Sequence, residues 1–146
     1  MRFVPRKTLN HDCPSWAETG ALYFVTINAA PRGTSDLVQP DSAASLLESA
    51  AHYHRQGRWF ARLFLLMPDH VHALLAFPPV EAMRTVICDW KRYTARVHAV
   101  RWQRDFFDHR LRSNESWELK ADYIRQNPVR KGLVQQATDW PWSLEA

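Results

Sequence analysis

The chain alternates between apolar runs of two kinds. Residues 21–29, ALYFVTINA, are rich in β-branched and aromatic side chains and end at the breaker PRGTSD, which predicts a strand. In PDSAASLLESAAHYHRQG the spacing changes. Leu46, Leu47, Ala50 and Ala51 make one helical stripe, with Asp41 or Ser42 as the expected cap and Gly57 as the stop. RWFARLFLLM (58–67) and HVHALLAF (70–77) flank Pro68-Asp69 and predict two antiparallel strands joined by a tight turn. PPVEAMRTVICDWKRYTARVHA returns to helical spacing, with Met83, Val86, Ile87 and Trp90 on one stripe. DFFDHRLR is a candidate fourth strand. SNESWELKADYIRQNP opens on Ser or Asn caps, carries a Trp117, Ala121, Ile124 stripe, and must end near Asn127 because Pro128 disfavours helical geometry before it. The tail VRKGLVQQATDWPWSLEA is expected to be packed loop. The resulting order, β-α-β-β-α-β-α, fits an α+β antiparallel sheet with helices packed on one face and the other face left for function.

A chain of 146 residues with 46% hydrophobic and 12% aromatic content is most simply one domain with an ordinary core. Cys13 and Cys88 lie far apart and form neither a disulfide framework nor a metal-binding Cys pair, which suits a reducing cytoplasm. MRFVPRKTLNHDC has no apolar run of signal-peptide type, and no segment approaches the roughly 20 apolar residues that span a bilayer, so no membrane partner is expected. Charge is uneven. Residues 1–83 carry seven Lys/Arg and seven Asp/Glu, whereas 84–131 carry twelve and six. That basic excess is interleaved with Trp90, Tyr93, Trp102, Phe106, Phe107 and Trp117. Such a mixture suits a surface that neutralises phosphates and stacks bases, and equally suits solvated helix faces over an aromatic core. Arg104, Arg110, Arg112, Arg125, Arg130 and Lys131 are the candidate phosphate contacts.

His70 and His72 interrupt the apolar stretch LLMPDHVHALLAF. Alternate strand residues share a face, so the two imidazoles project together and could chelate a metal, with a third ligand from elsewhere. They could also be two half-exposed histidines at a strand start. On the last helix Tyr123 and Asn127, four apart, fall on a stripe away from Trp117, Ala121 and Ile124. A phenol beside a carboxamide there could be a nucleophile beside a hard oxygen ligand, or a boundary tyrosine with a helix-ending Asn.

MPDHVHALL, WQRDFFDHRLR, DYIRQNPVRKGLV and DWPWS, with YFVTIN near the start, stand in the order and spacing of the REP-associated tyrosine transposases. The chain resembles that branch of the single-tyrosine HUH transposases, U being any hydrophobic residue. The resemblance implies a ferredoxin-like α+β fold and cleavage of single-stranded DNA beside short hairpins. On the matched positions it implies His70 and His72 as metal ligands, Asn127 as the amide that completes the site, and Tyr123 as the nucleophile. Mg²⁺ or Mn²⁺ would be the cofactor, and a covalent 5′-phosphotyrosine the intermediate, formed by a monomer or homodimer. Asp69 stands where many relatives have Asn. Tyr93, set among Lys91, Arg92 and Arg96, is the rival nucleophile, and His109 either approaches the site or satisfies hydrogen bonds within its strand, the second being the expectation. Two other readings stay open: a domesticated hairpin-binding protein that does not cut, and a small metal-dependent hydrolase using a water nucleophile.

Overall fold

The computed structural model describes residues 7–9 and 12–146, so most of the opening stretch inspected for a leader lies outside the described residues. The elements are β1 (Lys7–Thr8), α1 (Ser15–Glu18), β2 (Leu22–Asn28), α2 (Pro40–Arg55), β3 (Phe60–Met67), β4 (His70–Ala76), α3 (Met83–His98), β5 (Phe107–Arg110), α4 (Trp117–Arg125), α5 (Asn127–Arg130) and β6 (Ser143–Glu145). They form one sheet in the order β1-β6-β3-β4-β2-β5, antiparallel except where β1 pairs parallel with β6. Within it, β2-α2-β3-β4-α3-β5 gives the strand order β3-β4-β2-β5, the ferredoxin-like arrangement.

Each of the two long helices crosses between strands that are not consecutive neighbours. Pro40 opens α2, where its missing N–H is not needed, and Asp41 lies in the first turn against the positive end of the helix dipole. Gln39 occupies the cap position without a side-chain bond, so neither Asp41 nor Ser42 caps as expected. Gly57, at φ +71°, takes the left-handed geometry that turns the chain out of α2.

Pairing register sorts the side chains into two faces. Val71, Ala73 and Leu75 of β4 lie level with Ile27, Val25 and Tyr23 of β2, and with Leu66 and Phe64 of β3. This face meets α2 and α3 through Leu46, Leu47, Val86, Ile87 and Trp90, all buried. Trp59, Phe64 and Trp90 stack within 5.3 to 6.0 Å of one another at its centre. The opposite face carries His70, His72 and Leu74. There α4 covers part of the sheet with Ala121 and Ile124, which are fully buried, and Lys120 sits 5.6 Å from the Phe24 ring. The fourth helix takes this face because α2 and α3 already occupy the other, so the histidine face is open only in part.

The tail departs from the expected loop. Residues 143–145 form β6, which pairs antiparallel with β3, and Trp140 Nε1 donates to the Leu66 carbonyl at 2.8 Å. Trp140 and Trp142 are buried, so both act as anchors. No helix among the described residues is long and apolar enough to cross a membrane.

The loop that leads into β5 is held from below by one ammonium. Lys91, buried on α3, donates to the carbonyls of Gln103, Arg104 and Asp105 at 2.9, 3.0 and 3.2 Å. Burial pulls its pKa down, with the charges of Cys88 and Asp105 opposing. Lys91→Met leaves three carbonyls without this donor and is expected to destabilise the chain by about 1–3 kcal/mol. Hydrogen exchange should accelerate most in residues 103–107. Unchanged protection there would show that the ammonium does not order the loop.

Candidate metal and nucleic-acid site

His70 and His72 start β4 directly after the Pro68-Asp69 turn, and their rings converge. The two Nε2 atoms are 3.2 Å apart, and the rings meet edge to face with centroids at 4.6 Å. Each second nitrogen has its own partner. His70 Nδ1 lies 2.8 Å from Asp69 Oδ1, and His72 Nδ1 lies 3.0 Å from Thr26 Oγ1 on the adjacent strand. If each Nδ1 carries its proton toward these oxygens, both Nε2 lone pairs face the same point.

Asp69 is itself fixed by Arg32 Nε and the Gly33 amide, both at 2.8 Å. Burial acts against its charge, yet these donors and His70 hold its carboxyl well below the usual carboxylate range. The Asp at this position therefore orients a histidine rather than merely filling a turn. Burial pushes both imidazoles toward the neutral form: His70 is lowered despite Asp69, and His72 is pushed down to about 3, with His70 and Arg130 adding to the effect. Neutral rings are the form that binds a metal.

The donor set fits a divalent ion. Two nitrogens bound to one ion at about 2.0–2.1 Å, at tetrahedral or octahedral angles, lie about 3 Å apart, close to the spacing here. Among the described residues no cluster of three or more His, Cys, Asp or Glu could hold a metal. Asn127 is the sequence-derived candidate for a third ligand.

Asn127 and Tyr123 do not share one continuous helix. α4 ends at Arg125, Gln126 is its cap, and Asn127 begins α5. Pro128 has no N–H to return to α4, which breaks the ladder here. Tyr123 is 55% exposed, whereas Asn127 is 7% exposed. Arg130 joins them: one guanidinium nitrogen donates to the Tyr123 carbonyl at 2.7 Å and to Asn127 Oδ1 at 3.0 Å, and the guanidinium lies 4.1 Å from the Tyr123 ring centroid. Its charge is also felt at His72, as that of Lys131 is at His70. Arg130, expected as one of six phosphate contacts, bridges the Tyr123 carbonyl and Asn127 Oδ1 and stacks on the phenol ring. No spacing rule on a single helix would have found this, because the link depends on the break between α4 and α5.

The other basic candidates separate. Arg104 lies in the loop at the histidine end of the sheet, where Gln103 N donates to the Asn28 carbonyl and Asn28 pairs with His70. Arg110 and Arg112 line a cleft with Arg62 at the far end of β2. Arg125 is tied to Glu145 at 3.0 Å and Asp122 at 2.6 Å, which braces α4 against β6. His109 bonds Glu115 at 3.0 Å. Tyr93 lies on α3, on the other side of the sheet from the histidines, in a cleft of about 770 Å³ between α2 and α3. Thr26, whose hydroxyl meets His72 Nδ1, carried no signal in the sequence.

No protein-family profile matches the chain. It is 28% identical over 130 residues to the REP-associated tyrosine transposase of Escherichia coli (strain K12), across 85% of this chain and 76% of that protein. A relative from Haemophilus influenzae is 26% identical over 143 residues, across 85% of this chain and 79% of its own length. The fold superposes on a solved structure of a REP-associated tyrosine transposase bound to a REP hairpin with a TM-score of 0.73, at 24% identity, over 85% of this chain and 76% of that one. In sequence and in fold the chain is similar to the REP-associated tyrosine transposases.

Proposed function

We propose that the chain is a transposase that cleaves and rejoins single-stranded DNA beside hairpins through a covalent bond to Tyr123. The observation that carries this reading is the convergence of His70 Nε2 and His72 Nε2 at 3.2 Å, on the sheet face that α4 also occupies. Hairpin DNA as partner follows from the relative whose solved structure holds a REP hairpin.

In the forward step Tyr123 Oη attacks the phosphorus of the scissile diester. The bond from phosphorus to the 3′ oxygen breaks, that oxygen takes a proton to become a 3′ hydroxyl, and the phenol proton passes to solvent. Tyr123 is exposed enough for both DNA and water to reach it. The diester energy is kept in the phosphotyrosine, so attack by a 3′ hydroxyl reverses the step without a nucleotide cofactor. Arg130, stacked on the phenol ring, holds it in place and offers further N–H groups to the phosphate. His70, His72 and Asn127 would hold a divalent ion, Mg²⁺ or Mn²⁺, which supplies neutralising charge beside the phosphoryl oxygens. Asn127 Oδ1 already accepts from Arg130 and retains a second lone pair for that purpose.

The test is incubation of the protein with end-labelled, hairpin-containing single strands and Mn²⁺. An adduct that survives denaturation is expected. Tight hairpin binding with no cleavage would favour a non-cutting binder, and cleavage without an adduct would favour a hydrolase. Asn127→Asp should form adduct at wild-type Mn²⁺ concentrations, whereas Asn127→Ala should need more of the ion. Superimposed Mn²⁺ titrations for both variants and the wild type would remove Asn127 from the site.

A further inference from the structure

The aromatic residues interleaved with the basic segment divide by burial. Trp90 is fully buried and Phe106 nearly so, while Trp102 and Trp117 pack against the core. Tyr93 lies on the far side of the sheet. Phe107 alone of the set is both strongly exposed, at 67%, and on the histidine face. Its position follows from register: Phe107 pairs with Thr26, and Thr26 pairs with His72, so the three side chains stand in one row across β5, β2 and β4. At about 4.8 Å per strand, Phe107 is about 10 Å from His72. β5 is the edge strand, so no strand among the described residues pairs on its outer side.

A single exposed ring is ordinary on a protein surface; the setting of this one is what distinguishes it, on an edge strand and in the row that holds His72. Arg104 is exposed in the loop immediately before β5, and on α4 Lys120 sits beside Phe24, the neighbour of Thr26 on β2. His109, on the same face of β5 as Phe107, bonds Glu115, which lines a cleft of about 420 Å³ with Leu119, Lys120 and Tyr123. One cation thus precedes the exposed ring along the chain, and another lies over the same sheet face beside Phe24. A base stacked on a ring with its backbone beside cations is the usual form of single-strand binding, and it tolerates any base because every base has a π-face. The Lys91 clamp on the carbonyls of residues 103–105 fixes the approach to this strand.

We propose that Phe107 is a stacking platform for an unpaired nucleobase of the single strand that flanks the hairpin, and so positions that strand toward His70, His72 and Tyr123. This rests on the proposed DNA-cleaving function and adds a subsite to it.

The probes are a DNA hairpin with an unpaired thymidine flank, the same hairpin trimmed of its flank, and the flanked hairpin with abasic sites in the flank. Phe107→Ala should raise the Kd for the flanked hairpin about tenfold and leave the trimmed hairpin unchanged. The abasic flank should cost the wild type a similar factor, and the two losses should not add when combined, since both remove one contact. Phe107→Trp should bind like wild type, with indole fluorescence quenched by the thymidine flank but not by the abasic one. Phe107→Ala that binds every probe like wild type overturns the platform while leaving the cleavage reading intact, provided the wild type still forms its adduct. An equal loss on flanked and trimmed hairpins overturns it too, as does a Phe107-dependent dimer in sedimentation, which would assign the exposed edge to a second copy of the chain. Loss of both adduct and hairpin binding in the wild type would overturn the two proposals together.

Discussion

Tyr123→Phe is expected to abolish the covalent DNA adduct while leaving hairpin affinity and folding close to wild type. The substitution removes one oxygen from a side chain that is 55% exposed. Surface changes of that kind usually alter stability by less than about 0.5 kcal/mol. The ring remains, so Arg130 can still stack on it at the 4.1 Å separation seen here, and its bonds to the Tyr123 carbonyl and to Asn127 do not involve the lost hydroxyl. Geometry is therefore preserved and only the nucleophile is missing. Tyr93→Phe is the control: Tyr93 meets His98 edge to face at 5.8 Å on α3, and its loss of a hydroxyl should not affect the adduct. Gel electrophoresis of labelled DNA after denaturation reads both. An adduct that persists in Tyr123→Phe and vanishes in Tyr93→Phe would move the chemistry to the other side of the sheet.

The elements legible in the sequence are those with an internal period. β2, the β3–β4 pair and the two long helices each repeat their apolar positions often enough for the face they bury to be visible locally. The short pieces are different. β6 has three residues and β1 two, and neither repeats anything; β6 is a strand because β3 offers a free edge and Trp140 and Trp142 anchor the chain beside it, and β1 because β6 then offers the next edge. Such information lies in the partner strand, not in the segment. The candidate site shows the same division. A His-U-His alternation announces two imidazoles on one face. That Asp69 and Thr26 each hold one of them, or that Arg130 spans Tyr123 and Asn127, depends on which strands become neighbours and where α4 stops. Charge counting located the basic half of the chain but not its use: Arg125 is spent on Glu145 and Asp122, and Lys91 on backbone carbonyls.

The proposed metal role can be separated from folding by comparing ligands with the residues that orient them. His72→Ala and His70→Ala are expected to abolish Mn²⁺-dependent adduct formation and direct Mn²⁺ binding. Excess EDTA should do the same to the wild type. Asp69→Asn and Thr26→Val leave both Nε2 atoms in place but disturb the partners of Nδ1, and changes of that kind typically cost about 10–100-fold in metal affinity. Asp69→Asn has a second consequence, because the same carboxylate holds Arg32 and the Gly33 amide. Some loss of stability should therefore accompany it, and Thr26→Val, which retains the branched shape on β2, is the cleaner measurement. Titration of Mn²⁺ by calorimetry reads affinity without requiring activity, and thermal melts report the fold. A graded series, wild type above Thr26→Val above His72→Ala, is the expected order. Wild-type adduct formation undiminished in excess EDTA would end the metal role. Equal Mn²⁺ affinity in the wild type and His72→Ala would mean that the converging rings hold each other by a hydrogen bond and nothing else.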